Sequence, residues 1–527
     1  MSDGWKPRHN PWLIAITVTL ATFMEVLDTS IANVSLPHIA GSLSASNDEA
    51  TWVITSYLVS NAIVLPASSY LSSLIGRKRF YMICVALFGI SSALCGLAPN
   101  LNCLLFFRVL QGIGGGGLGP SEQAILADTF PPSQRGKAFA LYGLAVVCAP
   151  AIGPTLGGYI TDNYDWRWIF FINVPVAILS LYLTSVMVED PPAQQKETAE
   201  LKKQGFNLDY VGFAFLALAF GSLEVLLDKG QEDDWFGSRL IVFFAITTVV
   251  GFIGLFSWEL HQIAQDRKPI LNLKLFLNRT FSLSFVMMFI LGVALYGTTV
   301  LIPQFLQTMM GYTAETAGFA LSYGGLMTMA CMPLVGISMG KIDPRYLVAF
   351  GFTVTGISLI HMSGLNLEMS FSHAAWMRVY QAAGIAFLFV PIQTMSYSDL
   401  PAKYNNDISG LTNLARNVGG SFGTSIVVTL LARRSQVHQS YLGSHITGSS
   451  QLATQRLAAI GQNLSAAGYH PNEVALRASA QLYHQLGAQA QLLAYIDIIE
   501  VFAIGSLLMV PLAFFMQPTA GGEVQMH

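Results

Sequence analysis

Long apolar stretches recur along this chain, separated by short polar connections. A helix needs about 20 mostly apolar residues to cross a bilayer. Fourteen stretches meet that need: 12–36, 51–74, 80–98, 101–127, 138–160, 168–188, 210–227, 240–260, 281–310, 317–339, 346–365, 374–398, 407–432 and 492–516. Irregular backbone cannot face lipid, so each is expected to be a helix. Two polar excursions break the rhythm. Residues 189–207 read as a mid-chain linker. Residues 434–490 are rich in Gln, Ala, Ser and His. Ala and Gln favour helix there, and a connection this long is either functional or disordered.

The pattern also repeats. Arg108-Val109-Leu110-Gln111 opens the fourth span, and Arg378-Val379-Tyr380-Gln381 opens the twelfth, 270 residues on. The loop at Gly76-Arg77-Lys78-Arg79 has a weaker echo between Lys341 and Arg345. Spans one to six thus match spans nine to fourteen, with spans seven and eight inserted between them. Two parallel six-helix halves make a transporter architecture. The expected organisation is a bundle over 1–188, a linker over 189–209, two inserted helices over 210–260 and a second bundle over 261–527. That second bundle carries the exterior loop 434–490.

Composition agrees: 53% of the 527 residues are hydrophobic and 11% charged, against about 25% charged in soluble domains. A net charge of −3 gives no pull toward nucleic acid. Cys84, Cys95, Cys103, Cys148 and Cys331 lie in apolar stretches without metal-like spacing, and read as small core hydrophobes. With the N-terminus inside, 17 Lys and Arg fall in inside loops and 7 in outside loops. The positive-inside rule then places both termini in the cytoplasm. No cleavable leader pattern precedes the first span.

Charges inside spans carry the chemistry, because they are costly in hydrocarbon. Glu25 and Asp28 stand one turn apart in span one, positions that share a helix face. They repel when both are ionised and titrate as a unit if coupled. Such a pair suits a proton-driven transporter; the plainer reading is a structural pair bonded to Asn33. Arg108 and Gln111 lie just inside span four, Arg378 and Gln381 in the repeat, and Arg416 near the start of span thirteen. Glu122 lies deep in span four, about 21 Å along a regular helix from Arg108, too far to pair with it. It is either a second acidic site or a structural acid. Glu224, near the end of inserted span seven, is a further acid, and its place in an insertion favours a peripheral role. The run Gly114-Gly115-Gly116-Gly117 lacks the Gly-Lys-Ser/Thr of a phosphate loop, so no nucleotide or other cofactor is expected and an ion gradient must drive any transport. Gly143, Pro150, Gly153, Pro154, Gly157 and Gly158 crowd span five. Small residues allow close helix approach, and proline bends a helix. The expectation is a kinked gating helix at the interface between the halves.

Together these motifs resemble the major facilitator superfamily, in its fourteen-span drug:proton antiporter (EmrB/QacA) group, and most of all the EmrB-type pumps. The likeness rests on Leu27-Asp28-Thr29-Ser30-Ile31-Ala32-Asn33, Trp52-Val53-Ile54-Thr55-Ser56-Tyr57, Arg108 to Gly112, the span-five set, and Asp165 to Pro175. One departure concerns the loop after span two. Gly76, Arg77 and Lys78 keep the family pattern, but Ser73 stands where an acid belongs, which puts the usual charge latch in doubt. The resemblance implies two six-helix bundles plus two extra helices, and proton-coupled export of lipophilic drugs from an inner membrane. It also implies a periplasmic adaptor and an outer-membrane channel as partners; the exterior segment 434–490 and the neighbouring exterior ends are the candidate docking surface. An exporter of one metabolite is the alternative reading.

Overall fold

The computed structural model describes residues 7–203, 209–265, 267–339, 341–446 and 450–517. Among these, the ordered elements are helices. The first half comprises α1 (Pro11–Ser42), α2 (Asn47–Ile75), α3 (Arg77–Gly96), α4 (Leu101–Gly115), α5 (Leu118–Thr129), α6 (Pro132–Asn163), α7 (Trp168–Phe171) and α8 (Asn173–Met187). The linker carries α9 (Pro192–Lys203), and the insertion carries α10 (Tyr210–Leu216), α11 (Ser222–Lys229) and α12 (Arg239–Ala264). The second half comprises α13 (Arg279–Thr308), α14 (Ala314–Ser338), α15 (Pro344–Met362), α16 (Phe371–Ser396), α17 (Asn405–Ser444), α18 (Gln451–Ala466) and α19 (Pro471–Ala513).

Local signals set the helix starts. Asn10 accepts from the Trp12 amide ahead of Pro11, and Ser46 and Glu49 form a reciprocal capping box. Gly76 ends α2 at φ 101°, a region that favours glycine, and α3 begins at the next residue. Its end of the bundle is called the basic end below, and the opposite one the far end.

Twelve of these helical stretches are long and apolar enough to cross a membrane, and thirteen if the bent α6 is one span. The one expected span left over, the thirteenth, in α17, does not meet that hydropathy. The reason is its buried face, which carries Asn405, Asn406, Ser409, Thr412, Asn413 and Arg416. It nevertheless packs between α13, α19 and α2. Span four is two helices rather than one, broken at Gly116 and Gly117. A Cβ at Gly116 would lie 2.8 Å from the Asn61 carbonyl, and one at Gly117 2.4 Å from the Cys84 sulfur. The glycine run is therefore a close-packing seam. Residues 434–490 are largely helical, with α17, α18 and α19 building a projection at the far end; 447–449 lie outside the described residues.

Helix α6 bends by 43° between Pro150 and Ile152. Its glycines do not all face the other half, as expected from sequence. A Cβ at Gly153 would meet Ser30 at 2.3 Å, and one at Gly157 would meet Ile31 at 3.1 Å, both on α1 of the same half. A Cβ at Gly158 would meet nothing within 4 Å. Gly143 does face the second half, against Phe389 and Met332, and Pro154 lies near Gly318. The motif thus divides between bracing α1 and lining the interface.

Candidate functional site

A cavity of about 210 Å³ lies between the halves. Helices α1, α2, α6, α11, α13 and α17 line it; about half of the lining residues are polar or charged, but most of the exposed wall is apolar surface. Glu25, Glu224, Asp228 and Arg416 put charge on its wall, and Asn33, Asn61, Tyr57, Asn417 and Ser421 add polar groups.

The two acids of α1 part company. Glu25 is half-buried and faces the cavity, where Oε1 accepts from Asn61 Nδ2 at 3.1 Å and Tyr57 Oη at 3.3 Å. Asp28 is 2% exposed and does not line the cavity. Its Oδ2 accepts from Arg108 Nη1 at 2.6 Å; its Oδ1 accepts from Asn173 Nδ2 at 2.7 Å and Gln111 Nε2 at 3.0 Å. Arg108, fully buried, also donates from Nε to the Val53 carbonyl at 3.0 Å and from Nη1 to Gln111 Oε1 at 2.9 Å. Its guanidinium carbon stands 4.5 Å from the centroid of the Tyr57 ring. Tyr57 therefore separates and joins the two acids, its ring on Arg108 and its hydroxyl on Glu25. A turn of 300° for three residues leaves a 60° difference in direction, enough to put one acid in the wall and the other behind it. Asn33 bonds neither acid. It donates to the Thr29 carbonyl at 3.2 Å and lines the cavity.

The second half repeats this arrangement with one change. Arg378 donates to Gln381 Oε1 at 2.6 Å and to Thr298 Oγ1 at 3.1 Å, and Gln381 donates to the same hydroxyl at 2.9 Å. The 270-residue step that carries Arg108 to Arg378 carries Asp28 to Thr298. A hydroxyl takes the place of the carboxylate.

Toward the basic end, polar side chains of both halves close the cavity. Arg416 donates to the Tyr142 hydroxyl at 3.0 Å, and that hydroxyl donates to Asn413 Oδ1 at 3.0 Å. Gln123 Oε1 accepts from Asn413 at 2.8 Å and from Gln393 at 2.6 Å. Glu122 lies beside this layer, fully buried, with Thr19 donating to Oε1 at 2.6 Å. Thr19 is six residues before Glu25 on α1, about 9 Å nearer the basic end. Closer to that end, Arg77 pairs with Asp128, which accepts from Asn405 of the second half at 2.6 Å. Gln194 of α9 accepts from Arg77 at 3.0 Å and from Asn406 at 3.4 Å. Lys268 donates to the Ser73 hydroxyl at 2.6 Å and pairs with Glu197. The latch thus forms without an acid at position 73. The Lys78 amide is held by Asp190 at 2.8 Å.

Glu224 lies on the cavity wall, where both carboxylate oxygens contact the Ser421 hydroxyl, at 2.8 and 2.9 Å. Its helix is an insertion in sequence yet not peripheral in space. Sequence reasoning gave no role to Tyr57, Asn61, Asn173, Gln123, Tyr142, Gln393, Asn413 or Ser421. Amides and hydroxyls inside apolar spans were the available signal, since a buried polar group needs a partner.

The helical architecture and the polar core between two repeated halves define a multi-pass membrane transporter. The chain matches the family described as Major Facilitator Superfamily over residues 18–424, and it belongs to that superfamily, among the EmrB-type export proteins. It is 38% identical over 441 residues to "Multidrug export protein EmrB" of Escherichia coli (strain K12), covering 83% of this chain and 84% of that protein. It is 36% identical over 449 residues to "Fatty acid resistance protein FarB" of Neisseria gonorrhoeae, covering 85% and 86%. A structure of the proton:xylose symporter XylE superposes with a TM-score of 0.61 at 14% identity, covering 97% of each chain, which concerns the fold alone.

Proposed function

We propose that the chain is a proton-coupled antiporter that exports lipophilic compounds, a drug efflux transporter of the inner membrane. The observation that carries this reading is Glu25, a carboxyl on the cavity wall joined through Tyr57 to the enclosed Asp28–Arg108 pair. Glu25 has the access a proton carrier needs. Every oxygen of Asp28 is already engaged, so a proton arriving there must displace a donor. Substrate and proton then compete for the cavity, and Asp28 and Arg108 transmit the outcome to α1, α2 and α4. Glu122 is the candidate for the next proton position toward the basic end.

With the basic end in the cytoplasm, as the positive-inside rule prefers, the polar layer closes the cavity on its cytoplasmic side. The halves rock about α6 and α14, which run together across the interface. The projection over 434–490 is proposed to meet a periplasmic adaptor leading to an outer-membrane channel. Loss of adaptor co-purification on deleting 440–485 supports that assembly, and unchanged recovery refutes it.

Substrate-induced proton release in inverted vesicles or proteoliposomes tests the antiport. Release with a lipophilic drug in the parent protein, absent in Glu25→Gln, is expected. Drug accumulation without proton movement would overturn the reading.

A further inference from the structure

We propose that the inserted hairpin, α10 to α12, is fixed to the first half and travels with it, so that the Glu224–Ser421 contact on the cavity wall is made in this state and broken when the halves rock; the inference rests on the rocking proposed above. The hairpin is one tightly clasped body. Small residues let α12 approach the π-helical turn Ala217–Gly221 closely, and a Cβ at Gly251 would lie 2.5 Å from the Ala219 nitrogen. Thr247 of α12 donates to the Ser222 hydroxyl of α11 at 2.9 Å. Toward the basic end Asp209, just ahead of α10, accepts from Trp258 at 2.9 Å and from Gln262 at 3.0 Å, both on α12.

The first half holds that body along α2. At the far end Thr55 donates to Asp228. Beside it Lys229, buried, donates to Thr51 and lies 5.4 Å from the centroid of the Trp52 ring. Midway the π-helical turn packs on α2, where a Cβ at Gly221 would meet the Ile63 side chain at 3.1 Å. At the basic end Lys268, which follows α12, donates to Ser73. Thr51 and Ser73 stand 22 residues apart, about 33 Å of helix. Toward the second half α11 packs on α17, where its hydrogen-bond partner is the Ser421 hydroxyl, 2.8 and 2.9 Å from the Glu224 oxygens.

Rocking changes the separation of α2 and α17, and α11 touches both. A clasped hairpin cannot follow two bodies that move apart. Polar contacts at both ends of α2 and packing between them hold it to the first half, against one hydroxyl on the second. The contact at Ser421 is therefore the one that yields. Glu224 and Asp228 both line the cavity, so the hairpin is a moving part of the cavity wall. The π-helical turn fits this role: such turns shift the helical register and occur often at functional sites. Here it stands directly before the α11 turn that carries Glu224.

The test is distance measurement between pairs of spin labels on the full-length protein by double electron–electron resonance, at acidic and alkaline pH. Cys103→Ala removes the one cysteine that is not buried. Labels go on exposed far-end positions: Asn102→Cys for the first half, Glu368→Cys for the second and Asp233→Cys for the hairpin. The 102–368 and 233–368 distances are expected to change together, while 102–233 keeps one value. A constant 233–368 distance, or a 102–233 distance that changes, overturns the proposal and leaves the rocking intact. A fixed 102–368 distance refutes the rocking itself and takes the proposal with it. Ser421→Ala is expected to shift the ratio of the two 233–368 distances about fivefold toward the parted state, the weight of one hydrogen bond. An unaltered ratio in a monodisperse Ser421→Ala overturns the make-and-break role of that contact.

Discussion

Neutralising Asp28 and neutralising Glu25 should have different consequences, although the residues are one turn apart. Asp28→Asn leaves Arg108 fully buried with its guanidinium facing an amide instead of a carboxylate. Removing one member of a buried pair costs about 3–5 kcal/mol, because the surviving charge stays out of water. The Val53 carbonyl and Gln111 still accept from Arg108, which places the expected loss toward the lower end, ~3 kcal/mol. Arg108→Gln should cost a similar amount by stranding Asp28. The double variant strands neither charge, so it should be more stable than the two single losses added together. A coupling of about 2 kcal/mol or more between the sites is expected from a double-mutant cycle. The assay is the thermal midpoint of purified protein, followed by monodispersity on size exclusion, with unfolding free energies wherever unfolding is reversible. Glu25→Gln, half-buried at the cavity wall, should leave that midpoint nearly unchanged. If Asp28→Asn were as stable as the parent and had lost proton coupling, Asp28 would be the exchanging acid and the division of roles drawn here would be wrong.

Three further outcomes follow from the geometry. Gly157→Leu should disrupt packing on Ile31 and reduce drug resistance, whereas Gly158→Leu, with open space around its Cβ position, should be tolerated; equal effects in a resistance assay would contradict the packing. Gln194→Ala removes an acceptor shared by Arg77 and Asn406 and should shift the protein toward the state open at the basic end. Faster labelling of a cysteine introduced at Ser409 would register that shift, and unaltered labelling would count against a clamp by the linker. Tyr142→Phe deletes the hydroxyl between Arg416 and Asn413 and should raise proton leak in vesicles without drug; an unchanged leak would mean the closing layer does not depend on that hydroxyl.

Helix positions were largely legible in the sequence, because lipid imposes length and apolarity on each span. The exception is informative. Helix α17 was recognisable as a span, but its buried polar face, which lines the cavity and the closing layer, lowers its hydropathy. The Arg-x-x-Gln repeat identified the two halves, and intramembrane charge picked out Glu25, Asp28, Arg108 and Glu224. Direction was not legible. Spacing put Glu25 and Asp28 on one face, but which lone pairs met Asn61 and which met Asn173 depended on helices far away in sequence. Glu224 was discounted because its helix is an insertion, a fact about chain order that says little about proximity in space. The latch at the basic end was similarly hidden. Ser73 suggested a loss, while Arg77, Asp128 and Asn405 assemble the contact from three separate segments.

The hydroxyl of Thr298, standing where the repeat would place a second Asp28, makes the two halves unequal in charge. Both halves share a fold and an Arg–Gln pair, yet only the first couples that pair to an acid. A twofold-symmetric machine would have two equivalent carboxylates and no preferred half; under the coupling proposed above, whatever Glu25 transmits through Tyr57 to an Arg–Gln pair reaches the first bundle, and the second is the frame it moves against. Thr298→Asp would give the frame a carboxylate of its own beside Arg378 and Gln381, and so erase that asymmetry.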